Sequence, residues 1–132
     1  MIERKKLYLI LGILGFLLIL AIVFIYLRLA EDVWIYDSKG VWIKHGRPLI
    51  TPDYVLAQQK AIACAYSLYN QSSIETFSSQ CLGSCDAYVV DIVHVPRTEE
   101  DDLEQNQCEA FRRRQLTHFI ELDNKGNIVR IV

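Results

Sequence analysis

The chain has 132 residues and a net charge of −2, with 52% hydrophobic and 23% charged residues. At roughly 100–150 residues per domain this is one domain at most. It is smaller than its length suggests, because residues 7–27 form an uncharged apolar run that leaves about 100 residues from Glu31 onward. That excludes a second domain or a large cofactor-binding fold. Four of the 14 bases (Arg4, Lys5, Lys6, Arg28) but only one of the 16 acids (Glu3) lie at or before position 28, so the remainder is acidic. A nucleic-acid binder needs the opposite sign gathered on one face.

The run 7–27 contains 21 residues, and at about 1.5 Å per residue it spans roughly 31 Å, the thickness of a bilayer's hydrocarbon core. A cleaved signal peptide would have an apolar region of only about 7–15 residues and small residues at −3 and −1 of the cut. Cutting after Ala30 places Arg28 at −3, and cutting after Ala21 places Ile19 there. No cysteine precedes Cys64 for lipoprotein processing, and a pilin-type cut after Gly15 would put Leu20 where an acid belongs. The run therefore reads as an uncleaved anchor. Arg4, Lys5 and Lys6 precede it, whereas Glu31 and Asp32 answer Arg28 at once. The positive-inside bias then places the N-terminus in the cytoplasm and residues 31–132 outside.

Two stretches beyond the anchor echo each other. Val33-Trp34-Ile35-Tyr36 leads through Asp37-Ser38-Lys39-Gly40 to Val41-Trp42-Ile43-Lys44, and His118-Phe119-Ile120-Glu121-Leu122 leads through Asp123-Asn124-Lys125-Gly126 to Asn127-Ile128-Val129-Arg130-Ile131-Val132. Both predict a β-hairpin, because Asp bonds its own backbone to start the turn and Gly supplies the positive φ that closes it. Thr51-Pro52-Asp53 predicts a helix start, with Thr51 as the capping hydroxyl. Ala57, Ala61, Cys64, Ala65 and Leu68 then recur at helical spacing, giving a helix over 52–70. Residues 87–95 are apolar on both faces and predict a central strand stopped by Pro96. Five acids in 98–104 form a solvated stretch, and 105–114 predicts a short helix whose Arg112-Arg113-Arg114 end suits the dipole. The expected architecture is α+β: anchor and stub over 1–30, then over 31–132 an antiparallel sheet of about five strands carrying one main helix and a second short one.

The four cysteines, Cys64, Cys81, Cys85 and Cys108, all follow the anchor. An even count in a small extracytoplasmic domain reads as two disulfides, with three possible pairings. Cys81–Cys85 encloses only three residues and stabilises least; Cys81–Cys108 closes a long loop, worth roughly 3–4 kcal/mol in the chain-entropy model. We favour Cys81–Cys108 with Cys64–Cys85. The rival is a structural zinc held by these cysteines with His94 or His118, but the spacing is irregular.

Asp91 stands in an apolar strand and needs a cation or backbone donors; Arg97 and Arg112 are candidates. Strand alternation points Asp91 and His94 to opposite faces. No Gly-rich phosphate loop, metalloprotease helix or nucleophile elbow is present. Asp91, Arg97, His94 and His118 are therefore expected in structural polar roles, with no catalytic, cofactor or metal site.

Four segments carry a resemblance: Trp42-Ile43-Lys44-His45-Gly46-Arg47-Pro48, Val89-Val90-Asp91-Ile92-Val93-His94-Val95-Pro96-Arg97, Asn106-Gln107-Cys108-Glu109-Ala110-Phe111-Arg112, and His118-Phe119-Ile120-Glu121-Leu122 with the Asp-x-x-Gly-Asn turn after it. They resemble motifs of small secreted, lipid-anchored or membrane-anchored prokaryotic proteins of unassigned function. The resemblance covers most of residues 40–132 and implies a Cys81–Cys108 bridge, but no activity. This chain departs from that group in its membrane span and in Cys64 and Cys85. A looser resemblance of fold is to cystatin-like and PepSY-like inhibitory modules. The expected function is a non-enzymatic interaction or structural module of the cell envelope, with the bilayer met through 7–27 and an envelope protein as partner. The alternatives are an inhibitor-like or assembly-factor module acting on an envelope protease, and a small enzyme using Asp91 with His94 or His118.

Overall fold

The computed structural model describes residues 2–30, 33–72 and 79–132. Glu31 and Asp32, which the sequence sets against Arg28, lie outside the described residues. The chain divides into two compact units, Met1–Ile35 with Lys44–Ile50, and Tyr36–Ile43 with Thr51–Val132.

In the first unit, α1 (Ile2–Ala30) is a helix of 29 residues. Its stretch Glu3–Arg28 is long and apolar enough to cross a membrane, with none of its most apolar window buried in the protein. The unit also holds the base of a hairpin formed by β1 (Val33–Tyr36) and β2 (Trp42–His45). Trp34 Nε1 donates to the Ile50 carbonyl at 3.0 Å, and Lys44 Nζ lies 5.5 Å from the Trp34 ring centre.

The second unit is built on a four-stranded sheet in the order β3 (Cys81–Cys85), β4 (Tyr88–Ile92), β5 (His118–Leu122), β6 (Ile128–Ile131). The pairs β3–β4 and β5–β6 are antiparallel, but β4 and β5 run parallel, Tyr88 opposite His118 and Asp91 opposite Glu121. The expected sheet of about five antiparallel strands is therefore corrected: among the described residues six strands form two sheets, and the central pair of the larger one is parallel. The cause is the long connection over 93–117. A parallel pair needs a crossover of a dozen or more residues, and this stretch supplies one.

Helix α2 (Asp53–Gln71) covers one face of the sheet, where Ala61 and Ala65 meet Cys85, Val90, Ile120, Leu122 and Ile131. Alanines at the contact let the helix backbone lie close to the strands. Its N-cap is Pro52 and no side chain caps it, so Thr51 does not take the expected role. Both Asp-x-Lys-Gly turns dock on this helix. Asp37 Oδ1 accepts from the Lys39 and Val41 N–H groups, and Asp123 Oδ1 accepts from those of Lys125 and Asn127, all at 2.8–2.9 Å. Gly40 and Gly126 sit at φ +83° and +79°. The first turn is clamped by Gln58, only 3% exposed, whose amide donates to the Gly40 carbonyl and accepts from the Trp42 N–H. At the second turn Tyr69 Oη donates to the Asn124 carbonyl, and a side chain on Gly126 would strike the Tyr69 ring.

The crossover 93–117 covers the opposite face. It begins with 3₁₀ turns at Glu99–Asp102 and Glu104–Asn106, then forms α3, limited to Glu109–Arg112. The helix expected over 105–114 is thus one turn long, because the preceding residues bond locally: Asn106 Nδ2 donates to the Glu100 carbonyl. Phe111 of α3 packs edge-on against Phe119 of β5, ring centres 5.5 Å apart. The central strand expected over 87–95 ends at Ile92, because the His94 N–H leaves the ladder for the Asp101 carboxylate.

Candidate functional site

One edge strand carries both disulfides, one on each face. Cys85 faces α2 and is bonded to Cys64; Cys81 pairs in register with Asp91 and is bonded to Cys108, at the entrance to α3. Positions 81 and 85 would share a face in a regular strand. A bulge between Cys81 and Gly83, with Gly83 at φ +143°, turns Cys81 to the other side. Each layer flanking the sheet is thereby tied to the same strand.

Between the sheet and the crossover lies a cleft of about 200 Å³ lined by Asp91, Arg97, Asp101, Glu121 and Arg130 among others. Glu121 is buried and takes three donors: Arg97 Nη1 at 3.0 Å, Arg130 Nη2 at 3.1 Å and Arg130 Nε at 3.1 Å. Arg97 also donates to Asp102 Oδ1 and the Asp101 carbonyl, and Arg130 lies over the Phe119 ring. This network neutralises a buried carboxylate that would otherwise be costly.

Asp101 has a side chain with no solvent exposure. It accepts from Gln80 Nε2 and the Thr98 N–H, both at 2.7 Å, and from the Thr98 hydroxyl and the His94 N–H, both at 3.2 Å. His94 Nδ1 lies 2.9 Å from the same carboxylate. Burial opposes ionisation, but the bonds from Thr98 and His94 outweigh it and hold this carboxyl at about 2. The unfolded value is higher, so the stabilisation is fully present above pH ~4 and lost as pH falls through 2, at about 2 kcal/mol. Asp101→Asn is expected to remove it. Urea unfolding of the full chain in detergent should show a gap between variant and wild type at pH 6 that closes towards pH 2. A gap unchanged across that range would contradict the assignment.

Asp91 is different. Its carboxyl accepts from the Cys108 backbone N–H, and Oδ1 lies 3.0 Å from Cys108 Sγ. Burial pushes it up to about 7, the Glu121 charge adds to the rise, and the Cys108 N–H and Arg97 oppose it. Asp91 is thus a cleft carboxyl held well above the ordinary carboxylate range by its burial. Cys81, Asp91 and Cys108 place three potential ligand atoms within 4.8 Å of one another. With both sulfurs in a disulfide neither is the thiolate that a metal requires.

His118 packs against Tyr88 with the rings tilted and their centres 5.2 Å apart, three register positions from the Asp91–Glu121 pair and on the other face. Sequence reasoning named Asp91, Arg97 and His94 but missed Asp101, Gln80, Glu121 and Arg130. Thr98-x-x-Asp101 is a capping pattern that flags Asp101. Glu121 and Arg130 flank the second hairpin turn and pair across it.

No family model, no curated protein and no solved structure matches this chain.

Proposed function

We propose that this chain is a single-pass membrane protein whose α+β domain stands on the extracytoplasmic side as a non-enzymatic interaction module of the cell envelope. The observation that carries the reading is an apolar helix spanning Glu3–Arg28 in the same chain as a small domain tied by two disulfides. Disulfides persist in oxidising compartments, and the basic flank Arg4-Lys5-Lys6 favours a cytoplasmic N-terminus. Leu49 and Ile50, 86% and 77% exposed, present a pair of large apolar side chains to a partner protein. The bond from Trp34 to the Ile50 carbonyl fixes that pair on the hairpin base.

Protease added outside intact cells should digest residues 31–132 and leave a fragment of the anchor's size; full protection would reverse the orientation. A crosslinker placed at position 49 should capture a discrete envelope protein, and failure to capture any in intact membranes would count against the interaction reading. One observation favours a second reading, a small enzyme: the Asp91 carboxyl, pushed up by burial, lines a defined cleft beside Arg97 and Glu121. Turnover abolished by Asp91→Asn in a folded protein would select it.

A further inference from the structure

The two disulfides lie in different chemical surroundings. Cys64–Cys85 joins the apolar core beneath α2 through Cys85, with Cys64 partly buried against it. Cys81–Cys108 sits against Asp91, whose Oδ1 is 3.0 Å from Cys108 Sγ. A disulfide sulfur has no hydrogen to give, so this contact is ready to become a hydrogen bond only from the protonated carboxyl towards the sulfur. The two sulfurs also differ in access: Cys108 is 3% exposed, whereas Cys81 is only partly buried, at the start of an edge strand.

We propose that Cys81–Cys108 is an exchangeable bridge, opened by an external thiol with Asp91 as its proton donor, while Cys64–Cys85 is the permanent one. The external thiolate attacks Cys81 Sγ, on the less buried residue of the pair. A bond forms between the two, the Cys81–Cys108 bond breaks, and its electron pair leaves on Cys108 Sγ. Asp91 gives its proton to that sulfur, so Cys108 becomes a thiol and Asp91 a carboxylate. A second thiolate then attacks the external sulfur of the mixed disulfide and releases Cys81 as a thiolate, which takes a proton from water. Asp91 is reprotonated from the cleft. The net change is one protein disulfide reduced to two thiols and two external thiols oxidised to one disulfide.

The proton matters because exchange is faster the better the leaving sulfur carries its charge. A buried thiolate beside a carboxylate is a poor leaving group; a positioned acid removes that obstacle, an effect typically worth about 10²–10⁴-fold. The charges that set the state of Asp91 come from every side of the cleft. Glu121 faces it from β5, Arg97 and the Cys108 N–H from the crossover, and Arg130, Asp101 and Asp102 line the remainder. Opening the bridge would untie the crossover from the edge strand while leaving α2 fastened. The substrate class is a small-molecule or protein thiol. The proposal rests on the disulfides and the cleft, not on the side of the membrane.

The test uses the oxidised full chain in detergent, with reduced glutathione as the probe, across pH 5 to 9. Thiols are trapped by alkylation over time and assigned by peptide mapping. Both bridges meet the same thiolate concentration, so the ratio of their opening rates cancels the ionisation of the reductant. The expected ratio favours Cys81–Cys108 below pH 7, then falls about tenfold per pH unit as Asp91 loses its proton. In Asp91→Asn the ratio should be flat. A ratio independent of pH in the wild type, earlier opening of Cys64–Cys85, or a wild-type profile in Asp91→Asn would each overturn the proposal. The wild-type profile decides alone if the variant does not fold.

Discussion

Replacing Cys81 and Cys108 together by alanine is expected to cost about 3–4 kcal/mol of stability under oxidising conditions, which for a domain of this size lowers the melting temperature by on the order of 15–25 °C. The bridge spans a sequence separation of 27 residues, and the chain-entropy model gives roughly 3.6 kcal/mol for closing such a loop. Its loss also frees the crossover that shields Val89 and Asp91 on its face of the sheet. The second bridge spans 21 residues, and the same model gives about 3.4 kcal/mol. Loop length therefore does not rank the two; the double variants at Cys64 and Cys85 should lose a similar amount while releasing α2 instead. Urea unfolding of the full chain in detergent, followed by near-ultraviolet circular dichroism, measures both. A loss below about 1 kcal/mol for either pair would show that the crosslink does not constrain the unfolded chain as the model requires.

Asp91→Asn is expected to stabilise the protein above neutral pH and to leave it nearly unchanged in acid. The folded-state value of about 7 lies above the ordinary carboxyl value near 4. Between the two the folded protein binds the proton that the unfolded chain has lost, so stability falls as pH rises and the full cost is present above 7. A shift of this size corresponds to about 4 kcal/mol, and relaxation of the cleft brings the expectation to about 2–4 kcal/mol at pH 8. Asparagine keeps the shape and the acceptor for the Cys108 N–H but carries no charge to desolvate. The measurement is the difference in unfolding free energy between variant and wild type at pH 4.5 and at pH 8. Equal differences at the two pH values, or a variant less stable at pH 8, would contradict the burial of an ionisable carboxyl there.

The two hairpins were legible because their turns are chemically explicit. Asp37 and Asp123 each bond two backbone N–H groups, and only Gly40 and Gly126 accept the positive φ that follows. The main helix was legible from its alanine spacing, and its start shifted by one residue because proline took the cap. Strand direction was not legible. Nothing local to Tyr88–Ile92 or His118–Leu122 distinguishes a parallel from an antiparallel neighbour; the crossover length does, and its weak helical pattern obscured it. Strand β3 was missed because Cys-Leu-Gly-Ser-Cys lacks the apolar alternation of a strand. Its central glycine was the available sign of a bulge, and that bulge decides which face each cysteine meets. Within the cleft, Asp91 stood out because a lone acid in an apolar run must be explained. Asp101 hid among five acids in a stretch that reads as solvated, and its burial comes from donors at Gln80, His94 and Thr98.

Peptide mapping of the denatured, unreduced protein tests the central claim most directly, provided thiols are trapped with an alkylating agent as the cells are opened. An oxidised extracytoplasmic domain predicts linked peptides joining Cys64 to Cys85 and Cys81 to Cys108, with no alkylated cysteine in the bulk of the population. Four alkylated thiols would contradict the disulfides, the clamped crossover and the side of the membrane on which the domain is placed.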